Sequence, residues 1–257
     1  CRISRCKVVV YKHNDMADLQ RLLETEIVTG QRFIVTDGVF SMDGDIADLP
    51  SLAVLKKQFN AFLIVDDAHG VGVIGNDGSG TASHYGLTDV IDLQVGTLSK
   101  ALAAEGGYVA GKKILIDYLI NRSRPFIFST ALAPATLAAA NAALLLLQTQ
   151  ASKYLDSLRA NSRLMRRLLL EGGLNVVEGI TPIIPVVIGE AGLTMQFADR
   201  LKSKGILVSG IRPTVPRGES RLRITVTAAH CEEQLRQAAQ IITALWQELK
   251  HGEKKEG

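Results

Sequence analysis

Two short stretches, 62–65 and 91–95, carry apolar residues at strand length and then break off into chemically capable side chains. The first, Phe-Leu-Ile-Val, ends in Asp66, Asp67, Ala68 and His69. The second passes through Gly96 into Thr97, Leu98, Ser99 and Lys100. Short apolar runs of this kind fit strands buried between helices, the environment that a parallel sheet provides. Strand-like and helix-like patterns alternate around them. Residues 8–11 read as a strand, Asn14 as the cap of a helix carrying Leu19, Leu22 and Leu23, 33–35 as a strand and 49–59 as a helix. This βαβα order predicts an α/β fold, a mostly parallel sheet with helices over both faces. Ligands of such sheets lie at the carboxyl ends of the strands. Ser41, Asp66, His69 and Lys100 all fall at those ends.

Further along, the pattern predicts a short strand at 108–110, a helix over 112–121 and a short strand at 126–128. A long, buried helix is expected from about 133 to 170, broken near Lys153 and stopped by Gly172 and Gly173. The remainder has a different grammar: strands at 183–188, 206–209 and 221–227, and helices at 193–204 and 231–249. The reading is a large domain over 1–154 and a smaller α+β domain over 155–257, ending in a charged tail at 251–257. The chain opens at Cys1 and enters its first strand almost at once, as a domain does whose beginning lies upstream.

Composition narrows the classes of function. An apolar fraction of 47% supplies ample material for a large core, and a net charge of +3 is too small to argue for nucleic acid. The most apolar stretch, 131–147, is short for a membrane span, so no membrane is expected. The first residues do not read as a signal peptide. Cys1, Cys6 and Cys231 make neither a metal-ligand spacing nor an even disulfide framework, so a reducing cytoplasm is the expected location.

Taken singly, the polar residues at the strand ends are unremarkable. A lysine after a strand is usually solvated, an Asp-Asp pair is usually a turn or a cap, and a histidine is often structural. In order and at βα spacing they make a set: an amine that can act as a nucleophile, a carboxylate and an imidazole. Pyridoxal phosphate needs such a set, with a lysine for its Schiff base, an acid facing the pyridinium nitrogen, and donors for its oxygens.

Longer motifs carry a resemblance. Residues 36–45 (Thr-Asp-Gly-Val-Phe-Ser-Met-Asp-Gly-Asp), 66–70 (Asp-Asp-Ala-His-Gly), 96–100 (Gly-Thr-Leu-Ser-Lys), 124–130, 212–216 (Arg-Pro-Thr-Val-Pro) and 221–225 resemble the α-oxoamine synthases. These are pyridoxal phosphate enzymes of the aspartate-aminotransferase fold. The resemblance covers nearly the whole chain and implies a decarboxylative condensation of an amino acid with an acyl thioester. It implies Lys100 as the Schiff-base lysine that also moves the α-proton, Asp66 on the pyridine nitrogen, and His69 on the phenolic oxygen. Ser41 and Thr97 would contact the cofactor, and Ser99 its phosphate. Thr130 would reach the phosphate of the other subunit of a homodimer with its active site at the interface. Arg223 would hold the amino-acid carboxylate, for which a guanidinium fork is suited, and Thr214 would contact substrate.

The Asp-Asp-Ala-His-Gly and Arg-Pro-Thr-Val-Pro motifs favour L-alanine as the amino acid; the alternative within the family is a glycine-using acetyltransferase. Two departures stand out. The family's upstream segment, with its glycine-rich phosphate loop and stacking ring, has no counterpart here, which leaves an inactive fragment as a further reading. Ala103 and Ala104 also follow the lysine where the family has glycine at one position. A metal-dependent hydrolase built on Asp66, Asp67 and His69 is the reading from another class; it leaves Lys100 without a task.

Overall fold

The computed structural model describes residues 4–211 and 219–256, the stretch 251–256 in backbone only. The chain divides into two compact units: Cys1–Gly38, Ile46–Val71 and Ser79–Leu145 form the first, Val39–Asp45, Gly72–Gly78 and Leu146–Gly257 the second.

The first unit begins with an extended stretch and then α1 (Met16–Thr25), capped by the Asp15 carboxylate on the Asp18 N–H. Asn14, the expected cap, has a φ of +51° and instead uses its side-chain amide on Ile46 O and Asp48 N. Next come β1 (Arg32–Asp37), α2 (Leu49–Gln58), β2 (Ala61–Asp66), α3 (Thr81–His84), β3 (Leu93–Thr97) and β4 (Gly107–Gly111). The sheet order is β1-β2-β3-β4, with the first three strands parallel and β4 antiparallel. Helix α2 buries Leu49, Leu52 and Leu55, one every turn, and packs on β2, whose Leu63 and Val65 are fully enclosed.

The sheet is less covered than expected. Phe33 and Val35 of β1 are exposed, as is all of β4. Residues 8–11 join no ladder; with residues 32–35 of β1 they help line a 550 Å³ apolar cavity. The expected strand at 126–128 is a short helix, α5 (Arg124–Ile127), which follows α4 (Lys113–Arg122) and has Pro125 in its first turn, where a missing N–H is harmless.

Helix α6 (Pro134–Glu171) is helical throughout except at Gln150, where φ is −137° and ψ 21°, so the break comes three residues before the expected one. Its apolar early turns are not buried: Leu137, Leu144, Leu145 and Leu146 are exposed. Gly173, at φ +75°, ends the turn after it.

The second unit continues with β5 (Ile183–Gly189), α7 (Ala191–Ser203), β6 (Ser209–Ile211), β7 (Ser220–Thr225) and α8 (Glu232–Glu256). The antiparallel order is β5-β7-β6. The strand expected at 206–209 begins only at Ser209, because Gly205, at φ +81°, turns the chain and 206–208 cross over irregularly. Ile184, Leu222, Phe197, Leu201, Ile242 and Leu245 form the heart of one core, and Trp246 stacks on Phe197 with ring centroids 5.6 Å apart. Each such fully buried side chain contributes about 1.5–3 kcal/mol. Among the described residues no helix is long and apolar enough to cross a membrane.

Candidate functional site

Parallel pairing decides what meets at the carboxyl edge of the first unit's sheet. Asp37, the last residue of β1, is in register with Asp66, the last residue of β2, and Asp66 is in register with Val95 of β3. The edge is pinned on both sides: Gly38 N donates to Asp66 O at 2.7 Å, and Asp67 N to Val95 O at 2.8 Å. Asp66 is half-buried, and its Oδ1 accepts the Ala68 N–H at 3.1 Å in a tight side-chain turn. His69 follows in the same turn, also half-buried.

Two strand ends are electrostatically joined. The protein packed around Asp37 pushes its carboxyl up from the usual carboxylate range, and the charge of Asp66 pushes it further; Lys100 and then His13 oppose the shift. Asp66 and Lys100 therefore both act on Asp37 through their charges. The sequence offered a signal for Asp37, since it ends its strand as Asp66 does, yet it was not among the expected site residues.

Beyond β3 the chain makes a compact loop. Leu98 N donates to Gly106 O, Ala104 N to Leu98 O and Ala103 N to Lys100 O. Ala103 closes it at φ +49°, a left-handed conformation that favours glycine. It is one of the two alanines, with Ala104, that follow the lysine where the family has glycine at one position. Thr97 Oγ1 donates to Gly106 O at 3.1 Å, so Ser99 Oγ, 2.8 Å away, donates to Thr97. Lys100 is exposed, and among the described residues no carboxylate pairs with its ammonium. Gly96 has no room for a side chain: a Cβ there would come within 2.3 Å of the Tyr108 ring. Burial raises the Tyr108 phenol above its ordinary value, and the Asp67 charge adds to the rise.

A second cluster lies within the second unit. Residues 39–45 form a hairpin-like turn, with Phe40 N on Asp45 O and Gly44 N on Phe40 O. Gly44, at φ +66°, sits so close to Ile183 that a Cβ would come within 2.6 Å of its carbonyl oxygen. Strand β7 grips this turn. Arg223 Nε donates to Ser41 O at 2.5 Å, and Arg221, 6% exposed, pairs its guanidinium with Asp43. Arg223 is half-buried, and desolvation lowers its pKa from the ordinary guanidinium value. These two arginines are thus anchors within a fold, unlike the solvated charges that alternation along a strand usually signifies.

The structure brings Asp66 and Lys100 around Asp37, joins Thr97 to Ser99, and joins Ser41 to Arg223. Thr130 is exposed in the stretch before α6. Thr214 lies outside the described residues. Asp67 turns its carboxyl into the protein, onto the Thr81 N–H, which deprives the metal-hydrolase reading of one of its three ligands.

Residues 1–242 match the family Aminotransferase class I and II. An 8-amino-7-oxononanoate synthase of Lysinibacillus sphaericus is 50% identical over 236 residues, 91% of this chain and 60% of the relative. The 8-amino-7-oxononanoate synthase 1 of Bacillus subtilis is 43% identical over 249 residues, 96% of this chain and 63% of the relative. Among solved structures, a serine palmitoyltransferase of Sphingomonas wittichii superposes with a TM-score of 0.89 at 28% identity, covering 93% of this chain and 61% of the other. The 8-amino-7-oxononanoate synthase of Francisella tularensis superposes with a TM-score of 0.82 at 30% identity, covering 98% and 71%. The chain spans about three fifths of the length of the curated relatives it matches. By family match, identity and fold together, the chain belongs to the aminotransferase class I and II family and, within it, to the α-oxoamine synthases.

Proposed function

We propose that this chain carries the catalytic residues of an 8-amino-7-oxononanoate synthase, a pyridoxal phosphate enzyme of biotin biosynthesis that condenses L-alanine with a pimeloyl thioester. The observation that carries the reading is the set at the carboxyl ends of adjacent strands: Asp66 after β2, His69 in the following turn, and Thr97, Ser99 and Lys100 at the end of β3. That donor set fits the cofactor: an acid for the ring nitrogen, an imidazole for the phenolic oxygen, two hydroxyls for the phosphate and an open amine for the aldehyde carbon. When bound, pyridoxal phosphate supplies the electron sink that stabilises negative charge at the amino acid's α-carbon.

The residues then divide the work. Lys100 would hold the cofactor through its amine and would serve as the general base toward the α-proton of the amino acid. Asp66 would face the ring nitrogen, where a carboxylate favours the protonated ring. Thr97 and Ser99 supply hydroxyl donors to the phosphate, once Ser99 turns from Thr97. Ser41 contributes to the cofactor's surroundings, and Thr130 reaches the phosphate held by the neighbouring subunit of a homodimer. Arg223, whose Nε is already committed to Ser41 O, keeps its terminal nitrogens for the substrate carboxylate, and Thr214 contacts substrate. The α-carbon forms a bond to the thioester carbonyl, the thiol leaves, the carboxylate departs as CO2, and a proton returns to the α-carbon. The enzyme is expected in the cytoplasm.

Borohydride reduction after incubation with pyridoxal phosphate, followed by peptide mass spectrometry, tests the assignment. The pyridoxyl group is expected on Lys100; finding it on Lys112 or Lys113 would overturn the reading. In D2O, L-alanine is expected to exchange its α-proton faster than glycine does, and the reverse order would favour the glycine-using acetyltransferase.

A further inference from the structure

Among the described residues Asp67 is the most enclosed titratable side chain of the first unit, with 1% of its surface exposed, and the reaction just described makes no use of it. Its Oδ2 accepts the Thr81 N–H at 2.6 Å. Its Oδ1 and the Thr81 hydroxyl are both buried without a hydrogen-bond partner. Three segments close around it, each at a glycine. A Cβ on Gly70 would lie 1.9 Å from Oδ1, one on Gly80 2.0 Å from Oδ2, and one on Gly38 2.4 Å from both Oδ1 and the Thr81 Oγ1. The chain has therefore been stripped of side chains at the exit of β1, in the turn after β2 and at the start of α3, to admit this one carboxyl.

Burial chiefly, and the neighbouring Asp66 charge, raise its pKa, against the hydrogen bond from the Thr81 N–H. The titratable groups that face it are Asp66 on its own turn and Tyr108 from β4. The residues contributed by the exit of β1 and the start of α3 are Gly38, Gly80 and Thr81, none of which titrates. A buried anion held by one N–H is strongly disfavoured, whereas a neutral acid gains a donor for the orphaned Thr81 oxygen.

We propose that Asp67 is a positioning residue, an uncharged hydrogen-bonding clamp that fixes the Asp66–His69 turn against β1 and α3. This rests on the proposed function for what the turn serves, and on the geometry alone for the clamp. Asparagine is the matching test residue, since its oxygen can accept the Thr81 N–H and its amide can donate to the Thr81 hydroxyl.

The experiment compares wild type, Asp67→Asn and Asp67→Leu in two assays. The first is thermal stability without cofactor as a function of pH. A folded-state pKa raised above the unfolded value makes the stability contribution fall as pH climbs from about 4 towards the raised value. Asp67→Asn removes that slope, so it should match or exceed wild type at pH 8. The second is pyridoxal phosphate affinity from the visible spectrum of the bound cofactor. Asn should keep affinity and spectrum within about threefold of wild type, and Leu should weaken binding at least tenfold. Asn losing as much as Leu, or losing tenfold when Leu fails to fold, overturns the neutral clamp. Leu binding as wild type does overturns the positioning role. If no form takes up cofactor, the functional reading fails, and the pH slope still decides the clamp.

Discussion

Removing Asp43 should damage the second unit more than removing the arginine it holds. The Arg221 side chain is 7% exposed and the Asp43 side chain 35%, so the arginine is the buried partner. Breaking a buried pair by deleting one member costs about 3–5 kcal/mol, because the survivor stays buried and uncompensated. Two features reduce this for Asp43→Ala. Glu219 still faces Arg221 at 3.3 Å, and Arg221 Nε still donates to Glu219 O at 3.0 Å. Asp43 is also partly in water, where an ion pair is worth less. About 2–3 kcal/mol remains. Arg221→Met reverses the situation: a flexible apolar chain fills the buried slot, and Asp43 relaxes into solvent, for a loss of about 1 kcal/mol or less. The double variant should resemble Arg221→Met, giving a coupling of about 2 kcal/mol. The chain's one tryptophan, Trp246, lies in this unit's core, so its fluorescence in a urea titration reports this unit. A midpoint shift at constant m gives each value. Asp43→Ala within about 0.5 kcal/mol of wild type, or Arg221→Met as damaging as Asp43→Ala, would refute the reasoning.

Three further outcomes are expected. Ala103→Gly should raise stability by about 0.5–1 kcal/mol, since the left-handed strain of a non-glycine residue, about 1–2 kcal/mol, exceeds the extra unfolded-state entropy of glycine; a lower melting temperature would contradict this. Asp66→Asn should slow cofactor-dependent α-deuterium exchange by orders of magnitude while leaving Lys100 able to take the borohydride label; a rate within about tenfold of wild type (about 1.4 kcal/mol) would refute its role. The 257-residue chain should self-associate as concentration rises, because Val10 and Ile27, 83% and 89% exposed, sit around an apolar cavity beside the outer strand β1. Replacing both by lysine should disperse it in sedimentation velocity, and unchanged association would place the contact elsewhere.

Much of this arrangement was legible in the residues. The strands β2 and β3, their order, and the polar positions just past them follow from short apolar runs that stop abruptly. Failures occurred where a local pattern lacked a partner. Residues 8–11 have strand propensity but no ladder, because propensity describes side chains that suit a pleat and says nothing of a neighbour. Phe126, Ile127 and Phe128 look like a strand, yet Pro125 suits a first helical turn and the two phenylalanine rings stay exposed. Asp67 continues the buried row of Ala61, Leu63 and Val65, but Phe62 and Ile64 on the other row are equally apolar, so alternation could not say which aspartate points inward. The grip of Arg221 and Arg223 on residues 39–45 joins positions about 180 apart, beyond any local pattern.

The strand order β5-β7-β6 has a consequence for assembly. Among the described strands, β5 and β6 do not pair with each other; each pairs with β7, the last of the three in sequence, and β5 makes one further bridge, Val186 to Val176. Until residue 220 has been made, β5 and β6 lack the strand that joins them into one sheet. The strand that closes the sheet also carries Arg221 and Arg223, so completion of the architecture and anchoring of the Ser41 turn are one event. A chain interrupted before β7 therefore loses both together and cannot persist as a folded unit with only its arginines missing.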